Sequence, residues 1–412
     1  MTSLEKHNGM KGRYDHWRFD LLGGCFGIAI ALGLVRFDFG ILGRLMAEAK
    51  WISIEQVGQL AAINMLGYLA GSIQQAYLKS QKVSIRFVKL SLIIVIISIL
   101  MEGHLRDFTS QSVLRFLCGW GAAHIVSGLP TIALQRVPLE INRSATGIIM
   151  SGGGIGALIG SLAIGMFSPT SAPSAWTVLL LSTLILSLPV FILLYRNVEY
   201  SQNLNSTSNQ PVNNLETKSS SSNNPRFLIA VIILGFAFMQ IGQVPTILYE
   251  PLIAMNKLNL VPRLASNLDG LFGLGLIIGG IIPALVPSKL STKLFLPLIS
   301  MFGLLGVVFF ANFSNIFELS ISILLIGVWD MMTGTLTYHR FGQICSKSTQ
   351  RRAWATATSV GAIGFILFSS STSQFSGSNI NLILNLGILA VAIQFILEIT
   401  QYALSAKEKF VE

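Results

Sequence analysis

Asp330 stands eleven residues into the apolar run at 319–342, beside Trp329 and close to Thr333 and Thr335. In a helix rising about 1.5 Å per residue, that places its carboxylate about 17 Å from the start of the run. A carboxylate at such depth can bind a solute, carry a proton, or bond a neighbouring helix for structure alone. A second set of polar side chains lies nearer the ends of its runs. Arg36 and Asp38 come late in 19–42, Asn64 early in 57–78, Arg115 early in 111–135, Gln243 late in 227–249 and Asp269 early in 264–286. Tyr68 and Gln240 fall near the middle of theirs. Arg36 and Arg115 suit a carboxylate or another anionic group, because a guanidinium makes paired, charge-assisted hydrogen bonds. Asp38, Asp269 and Asp330 are the groups expected to respond to protons. The competing reading is structural: Arg36 and Asp38 snorkel to the nearer edge, and Arg115 pairs with Asp38 or Asp269. His124 reads as a packed, hydrogen-bonded residue, and His339 and Glu398 as solvated helix ends. Pro245 interrupts a helical run just after Gln243 and frees backbone carbonyls there.

The elements that must hold these groups are membrane helices. Of the 412 residues 52% are hydrophobic and only 11% charged, against roughly 25% charged in soluble domains. Such a chain lacks the charge to cover a water-facing surface. Uncharged runs at 21–35, 90–101, 175–195 and 227–249 have the length of membrane segments. The alternating patterns of membrane strands are missing. The expected spans are 19–42, 57–78, 87–103, 111–135, 145–167, 175–195, 227–249, 264–286, 294–313, 319–342, 353–373 and 380–402.

The net charge of +10 follows from topology rather than from nucleic acid binding. With both termini cytoplasmic, 21 Lys and Arg fall on inside segments and five in outside loops, among them Arg44 and Lys50; this asymmetry orients the chain and requires an even number of spans. Residues 1–18 read as a cytoplasmic tail and not as a cleaved leader, and 403–412 as a second tail. A Ser/Asn-rich stretch within 196–226 has too few apolar residues to order itself, and it divides a bundle at 19–195 from one at 227–402. The two parts resemble each other at an offset of 208. Leu66–Gly71 falls on Leu274–Gly279, Gly27 on Gly235 and Gly119 on Gly327.

The most specific signal lies in 32–71. Gly33, Arg36, Phe37, Met46, Gly58, Leu60, Asn64, Gly67, Tyr68 and Gly71 resemble the opening of the YbfB/YjiJ-type branch of the major facilitator superfamily. The helix-four pattern of that superfamily is present as Arg115, Gly119, Gly121, Ala122 and Ala123. The resemblance implies the MFS fold: an all-α polytopic membrane protein with twelve transmembrane helices in two pseudo-symmetric six-helix bundles. It also implies that the first and fourth helix of each bundle line a cavity, where Arg36, Arg115, Gln243 and Asp330 could meet. Departures are visible. Asp38 replaces a small residue, Ile41 and Arg44 stand where prolines are usual, and the loop after helix two lacks the Asp-Arg pair. Helix five has Gly152, Gly153, Gly154, Gly156 and Gly160 but no proline, unlike drug/proton antiporters, so these glycines read as close packing or rocking surfaces.

The expected function is secondary active transport of a small organic solute, anionic in one reading, across the inner membrane by alternating access. The resemblance implies coupling to a proton gradient and a symporter acting as a monomer. Substrate would bind Arg36, Asn64, Tyr68, Arg115, Gln240, Gln243, Trp329 and Asp330. Two alternatives stay open: export of an amphipathic or siderophore-like compound, and a transporter-shaped sensor or assembly partner without flux. Enzyme chemistry is not indicated, and neither a cofactor nor a metal is expected, since the sequence shows no Gly-Lys-Ser/Thr phosphate loop and no His/Cys cluster. Cys25, Cys118 and Cys345 read as packing residues.

Overall fold

A computed structural model of the chain describes residues 17–78, 81–138, 141–204, 225–285, 292–345 and 347–405. The expectations for 1–16, for most of the linker and for the last seven residues lie outside them. The described residues form helices and no strand. In chain order the rods are α1 (Trp17–Glu48), α2 (Ile54–Tyr77), α3 (Gln81–Glu102), α4 (Phe108–Ala133), α5 (Asn142–Phe167), α6 (Ala172–Leu204), α7 (Pro225–Gly242, continued by Val244–Leu258), α8 (Pro262–Leu285), α9 (Thr292–Asn312), α10 (Ile316–Ile344), α11 (Lys347–Ser373) and α12 (Ile380–Leu404).

Eleven helices among the described residues are long and apolar enough to cross a membrane. The other rod, α2, has 24 residues; it falls short in apolarity, not length, because it carries Glu55, Gln56, Gln59, Asn64, Gln74 and Gln75. α3, α6 and α9 are the least buried of the early and middle spans, at 39% each, whereas α1 is 83% buried. Their outward faces are apolar: Leu181, Ile185, Leu188 and Ile192 follow each other along α6, and Leu298, Met301, Leu305 and Phe309 along α9. A soluble protein does not expose apolar stripes of that extent. Capping follows ordinary rules: Ser53 and Gln56 form a capping box at α2. Asp107 accepts the Ser110 N–H at 2.8 Å, which holds its carboxyl below the usual carboxylate range.

The rods run past the limits that apolarity marks in the sequence. α1 continues to Glu48 rather than stopping at 42, and α7 to Leu258 rather than 249. Arg44 is therefore not a loop residue. It is 2% exposed, pairs with Glu48 at 2.8 Å and donates to the Pro169 carbonyl at 3.1 Å. Glu398 is likewise no solvated end: it is fully buried, with Arg340 acting on it electrostatically. A charge ends an apolar run in the sequence but does not end a helix when a partner satisfies it.

Two irregularities interrupt the long rods. Ala29–Phe37 of α1 is a π-helical segment, closed by an Asp38 N–H bond to the Gly33 carbonyl at 3.1 Å. α7 is jointed at Gln243, with Pro245 in the first turn of its second piece. Proline has no N–H to give the preceding turn, so the joint falls where the sequence placed it.

Glycines set the helix contacts, and the 208-residue offset recurs in them. A Cβ on Gly67 would strike the Phe116 carbonyl, on Gly71 that of Trp120, and on Gly119 that of Asn64. A Cβ on Gly275 would strike the Leu324 carbonyl, on Gly279 that of Val328, and on Gly327 that of Phe272. Each second contact is the first shifted by 208, so the α2–α4 and α8–α10 crossings are one design used twice. Gly27 and Gly235 share no such correspondence: they face Leu129 and Glu398. The α5 glycines work on two sides. Gly152 and Gly156 press on the α1 carbonyls of Cys25 and Ala29, while Gly154 presses on Gly273 of α8. One helix thus packs backbone-to-backbone against a rod from the set before residues 205–224 and a rod from the set after them. The two sets also meet where α1 turns into α2: Gly58 of α2 abuts Tyr249 and Ser373, Glu55 lies against Gly377, and Gly165 of α5 abuts Asn267. We refer to this as the sealed end.

Candidate functional site

Arg36 comes from the π segment of α1, Gln240 and Gln243 from the joint of α7, and Asp330 from the middle of α10. Arg36 Nη2 donates to Gln240 Oε1 at 2.7 Å. The Gln243 amide can be placed two ways. In one it donates to Gln240 and turns its oxygen to the Asp330 carboxylate, which repels it. In the other it donates to both Asp330 oxygens, at 2.9 and 3.1 Å, and accepts from Arg36 Nη2 at 3.0 Å. The second arrangement satisfies a cation and an anion at once and is the better one; it sets the Gln243 oxygen 2.5 Å from Gln240 Oε1, acceptor against acceptor, so Gln240 must shift and cannot keep the same bond to Arg36. The guanidinium lies 5.4 Å from the Phe365 ring of α11 and 5.5 Å from that of Phe37. Tyr68 of α2 stands within electrostatic reach of Arg36. Four rods of the two sets, α1, α2, α7 and α10, thus converge on one balanced pair of charges. Arg36, Tyr68 and Gln240 keep partial exposure although α1 is the most buried span, whereas Asp330 is 7% exposed.

In the sequence Arg36 and Gln243 read as an outer layer apart from the deep Asp330. The structure corrects this. Arg36 is twelve residues from the end of α1 and Gln243 fifteen from the end of α7, or about 18 and 22 Å. Longer helices put both near mid-depth, where Asp330 already is.

Asp38 and Asp269 meet elsewhere. Ser161 Oγ of α5 lies 3.0 Å from Asp38 Oδ1 and 2.8 Å from Asp269 Oδ2. A hydroxyl has one proton to donate, so both contacts are hydrogen bonds only when one carboxyl is protonated and donates to Oγ. Asp38 is 0% and Asp269 6% exposed. Glu250 of α7, fully buried with both oxygens lacking a hydrogen-bond partner, acts electrostatically on Asp269. The nearest cation acting on Glu250 is Arg44, which is already bonded to Glu48 and Pro169. Gly160 leaves room for the Asp38 carboxylate: a Cβ there would lie 1.7 Å from Oδ2.

Three expected site residues turn into helix packing. Asn64 Nδ2 donates to the Arg115 carbonyl at 2.9 Å, which ties α2 to α4. Trp329 points away from its neighbour Asp330: it is fully buried against Gly303 of α9 and donates to Gln394 of α12 at 3.1 Å. Arg115 is paired, but with Glu102 at 3.6 Å rather than with Asp38 or Asp269. It also donates to the Val35 carbonyl at 2.7 Å and lies 4.0 Å from the Phe39 ring. Arg115 therefore braces the π segment that carries Arg36. Sequence reasoning passed over Glu102, Ser161 and Glu250. Glu102 and Glu250 stand at or just past the apparent span ends, and Ser161 is one of many serines in the chain. His124 is held as expected of a packed histidine, with Gln75 at 2.8 Å from Nδ1 and the Phe87 ring stacked at 5.0 Å. Among the described residues no group of three or more His, Cys, Asp or Glu is placed to hold a metal ion.

No curated protein matches the chain. The family described as "Uncharacterised MFS-type transporter YbfB" matches residues 28–397. That match spans most of the sequence and contains both carboxylate sites, so the chain belongs to the YbfB-type family of MFS transporters and is a multi-pass membrane transport protein.

Proposed function

We propose that the chain is a secondary active transporter of a small organic solute, driven by a proton gradient across the inner membrane. Its twelve rods act as two six-helix bundles, 19–195 and 227–402, joined by a cytoplasmic linker and with both termini inside. The solute binds in the site that Arg36, Tyr68, Gln240, Gln243 and Asp330 line, and alternating access exposes that site to one side and then the other. The protein works as a monomer. One observation supports this reading above others: the polar chain from Arg36 through Gln243 to Asp330 joins helices of both bundles and sets one cation against one anion at mid-depth. Ionisable groups at such depth cost roughly 2.5–3.5 kcal/mol each on insertion scales, and a purely structural contact could be made with less. Asp38 and Asp269 serve the proton. In this orientation the sealed end is periplasmic, so the shape is that of a carrier closed to the outside. Contacts between Gly154 and Gly273 and around Gly58 form the closed seam.

The test is flux in proteoliposomes that carry a trapped pH dye. Small acids, amino acids and siderophore-like chelators are added under an inward or outward proton gradient, which also separates uptake from export. At least one class should move protons with it, and Asp330→Asn should stop that movement. If Asp330→Asn leaves both gradient-driven uptake and exchange intact, Asp330 has neither role.

A further inference from the structure

We infer that the central site takes a zwitterion, a solute with a carboxylate and an ammonium close together, and that the Gln243 amide holds the place of such a solute when the site is empty. The inference rests on the transport reading of the site and goes further by naming the class of substrate.

The reasoning starts from what Gln243 does. Its oxygen takes a hydrogen bond from Arg36 at 3.0 Å and its nitrogen gives two to Asp330, at 2.9 and 3.1 Å. The guanidinium and the carboxylate are separated by that one amide. An amide presents an acceptor and a donor on a single carbon. An α-amino acid presents a stronger acceptor and a stronger donor one bond further apart. Its carboxylate would replace the amide oxygen on Arg36, and its ammonium would replace the amide nitrogen on Asp330. Both replacements exchange hydrogen bonds with one charged partner for bonds in which both partners are charged. A simple acid would leave Asp330 buried without its donor, and a simple amine would leave Arg36 without its acceptor. Each of those costs more than the remaining contact returns.

Unpartnered atoms around the pair fit a larger guest. Arg36 Nε is buried without a hydrogen-bond partner, and so are the Thr333 and Thr337 hydroxyls, three and seven residues along α10 from Asp330. Residues at that spacing share one face of a helix. On that rod a Cβ at Gly334 would meet nothing nearer than Phe236 at 3.9 Å, while most other helix glycines are in tight contact. Phe236 begins a run of rings, with Trp354 at 5.3 Å and Tyr338 a further 5.5 Å on, and the Phe365 ring lies against Arg36. The site therefore offers a balanced charge pair for the head of the solute and an aromatic wall for an apolar body.

Gln243 is also the joint of α7. The second piece of α7 carries Glu250 and the Ile247 carbonyl, which presses on Gly40 of α1. A solute that displaces the Gln243 side chain releases a contact at the joint between the centre and the sealed end. Binding is thereby communicated to the closed seam through one helix.

Matched triads test this on purified full-length protein. Each triad is an apolar L-α-amino acid, its deaminated acid and its decarboxylated amine: phenylalanine, 3-phenylpropanoate and 2-phenylethylamine, with the corresponding sets for leucine and methionine. Binding is read from the rise in unfolding temperature with concentration. At least one amino acid should bind about a hundredfold or more tighter than both of its analogues, as expected where a site built for polar groups meets a molecule lacking one. Gln243→Leu keeps the bulk of the side chain but not its amide, and it should tighten amino-acid binding about threefold or more, whereas loss of an ordinary contact weakens it. Binding of an acid or an amine as tightly as its amino acid overturns the zwitterion, and weaker binding by Gln243→Leu overturns the placeholder. Proton-linked flux of a simple acid with no amino acid bound would leave the transport reading standing while removing this one. No binding by any triad removes it as well.

Discussion

The centre of the molecule and its sealed end each bury carboxylates, and they solve the resulting electrostatic problem in opposite ways. At the centre Asp330 faces a guanidinium across one amide, so the charges balance without any proton being bound. Just beyond the centre, on the side of the sealed end, Asp38 and Asp269 share the single hydroxyl of Ser161, with Glu250 behind them and Arg44 bonded to Glu48 and Pro169. There both Ser161 contacts are hydrogen bonds only with a proton added to a carboxyl. A balanced pair suits a solute, which can enter by exchanging partners. An unbalanced cluster suits a proton, which is the one ligand small enough to neutralise it in place. Asp38 comes from α1 and Asp269 from α8, so the Ser161 contacts also bridge the two sets of helices.

The largest effect expected from this contrast is on solute affinity. Arg36→Ala leaves Asp330 buried without its counter-charge, and truncating one partner of a buried charge pair costs about 2–5 kcal/mol. That converts to a loss of roughly thirtyfold or more in solute affinity. Asp330→Asn should act in the same direction. Asp38→Asn should leave solute affinity within about threefold of the parent, because Asp38 touches nothing at the centre. Isothermal binding of whichever solute the flux assay identifies would decide it. Equal losses in Asp38→Asn and Asp330→Asn would merge the two regions into one site.

How much of this was legible in the sequence differs between the regions for a physical reason. The helix plan and the repeat were legible: glycines at a fixed offset become carbonyl contacts at that same offset, since close helix crossings tolerate no other residue. Arg36, Gln240, Gln243 and Asp330 were legible as unusual residues in apolar runs. That they face one cavity was implied by the family resemblance; their direct contact was not legible, because apparent span ends placed them at different depths. The sealed-end cluster was half visible. Asp38 and Asp269 stood out, but Ser161 resembles any helix serine, and Glu250 fell one residue beyond the apparent end of its span. Trp329 shows the remaining limit: a helix apolar on all sides has no moment to say which way a given residue points.

The effect of acidity should fall on the sealed end alone. With the cluster protonated, Ser161 is bonded to both aspartates and the seam closes. As pH rises and the proton leaves, Asp38, Asp269 and Glu250 should repel one another, and the expected outcome is an opened seam. The facing charges are those three carboxylates and Arg44, whose hydrogen bonds to Glu48 and the Pro169 carbonyl keep it engaged. Cysteines at Glu55 and Gly377, positions that face each other across the seam, report closure through a short bifunctional thiol cross-linker. Cross-linking should be complete at low pH and decline severalfold as pH rises. Asp38→Asn, unable to carry the negative charge, should flatten that dependence. A dependence unchanged in Asp38→Asn would move the proton away from this cluster.

The smallest effect expected is at Gly334, and it sharpens the contrast by showing where room exists. Gly160→Ala would put a Cβ 1.7 Å from the Asp38 carboxylate, a distance that forces the cluster apart. Gly334→Ala meets its nearest neighbour, Phe236, at 3.9 Å, an ordinary contact. Alanine also favours a helix interior over glycine by about 1 kcal/mol. Gly334→Ala should therefore leave thermal stability equal to the parent or slightly raised, while Gly160→Ala lowers it. If Gly334 borders the space a solute occupies, larger side chains should block it without harming the fold. Gly334→Leu should then unfold near the parent temperature and yet bind solute more weakly, with the sealed-end cross-link and its pH dependence unchanged.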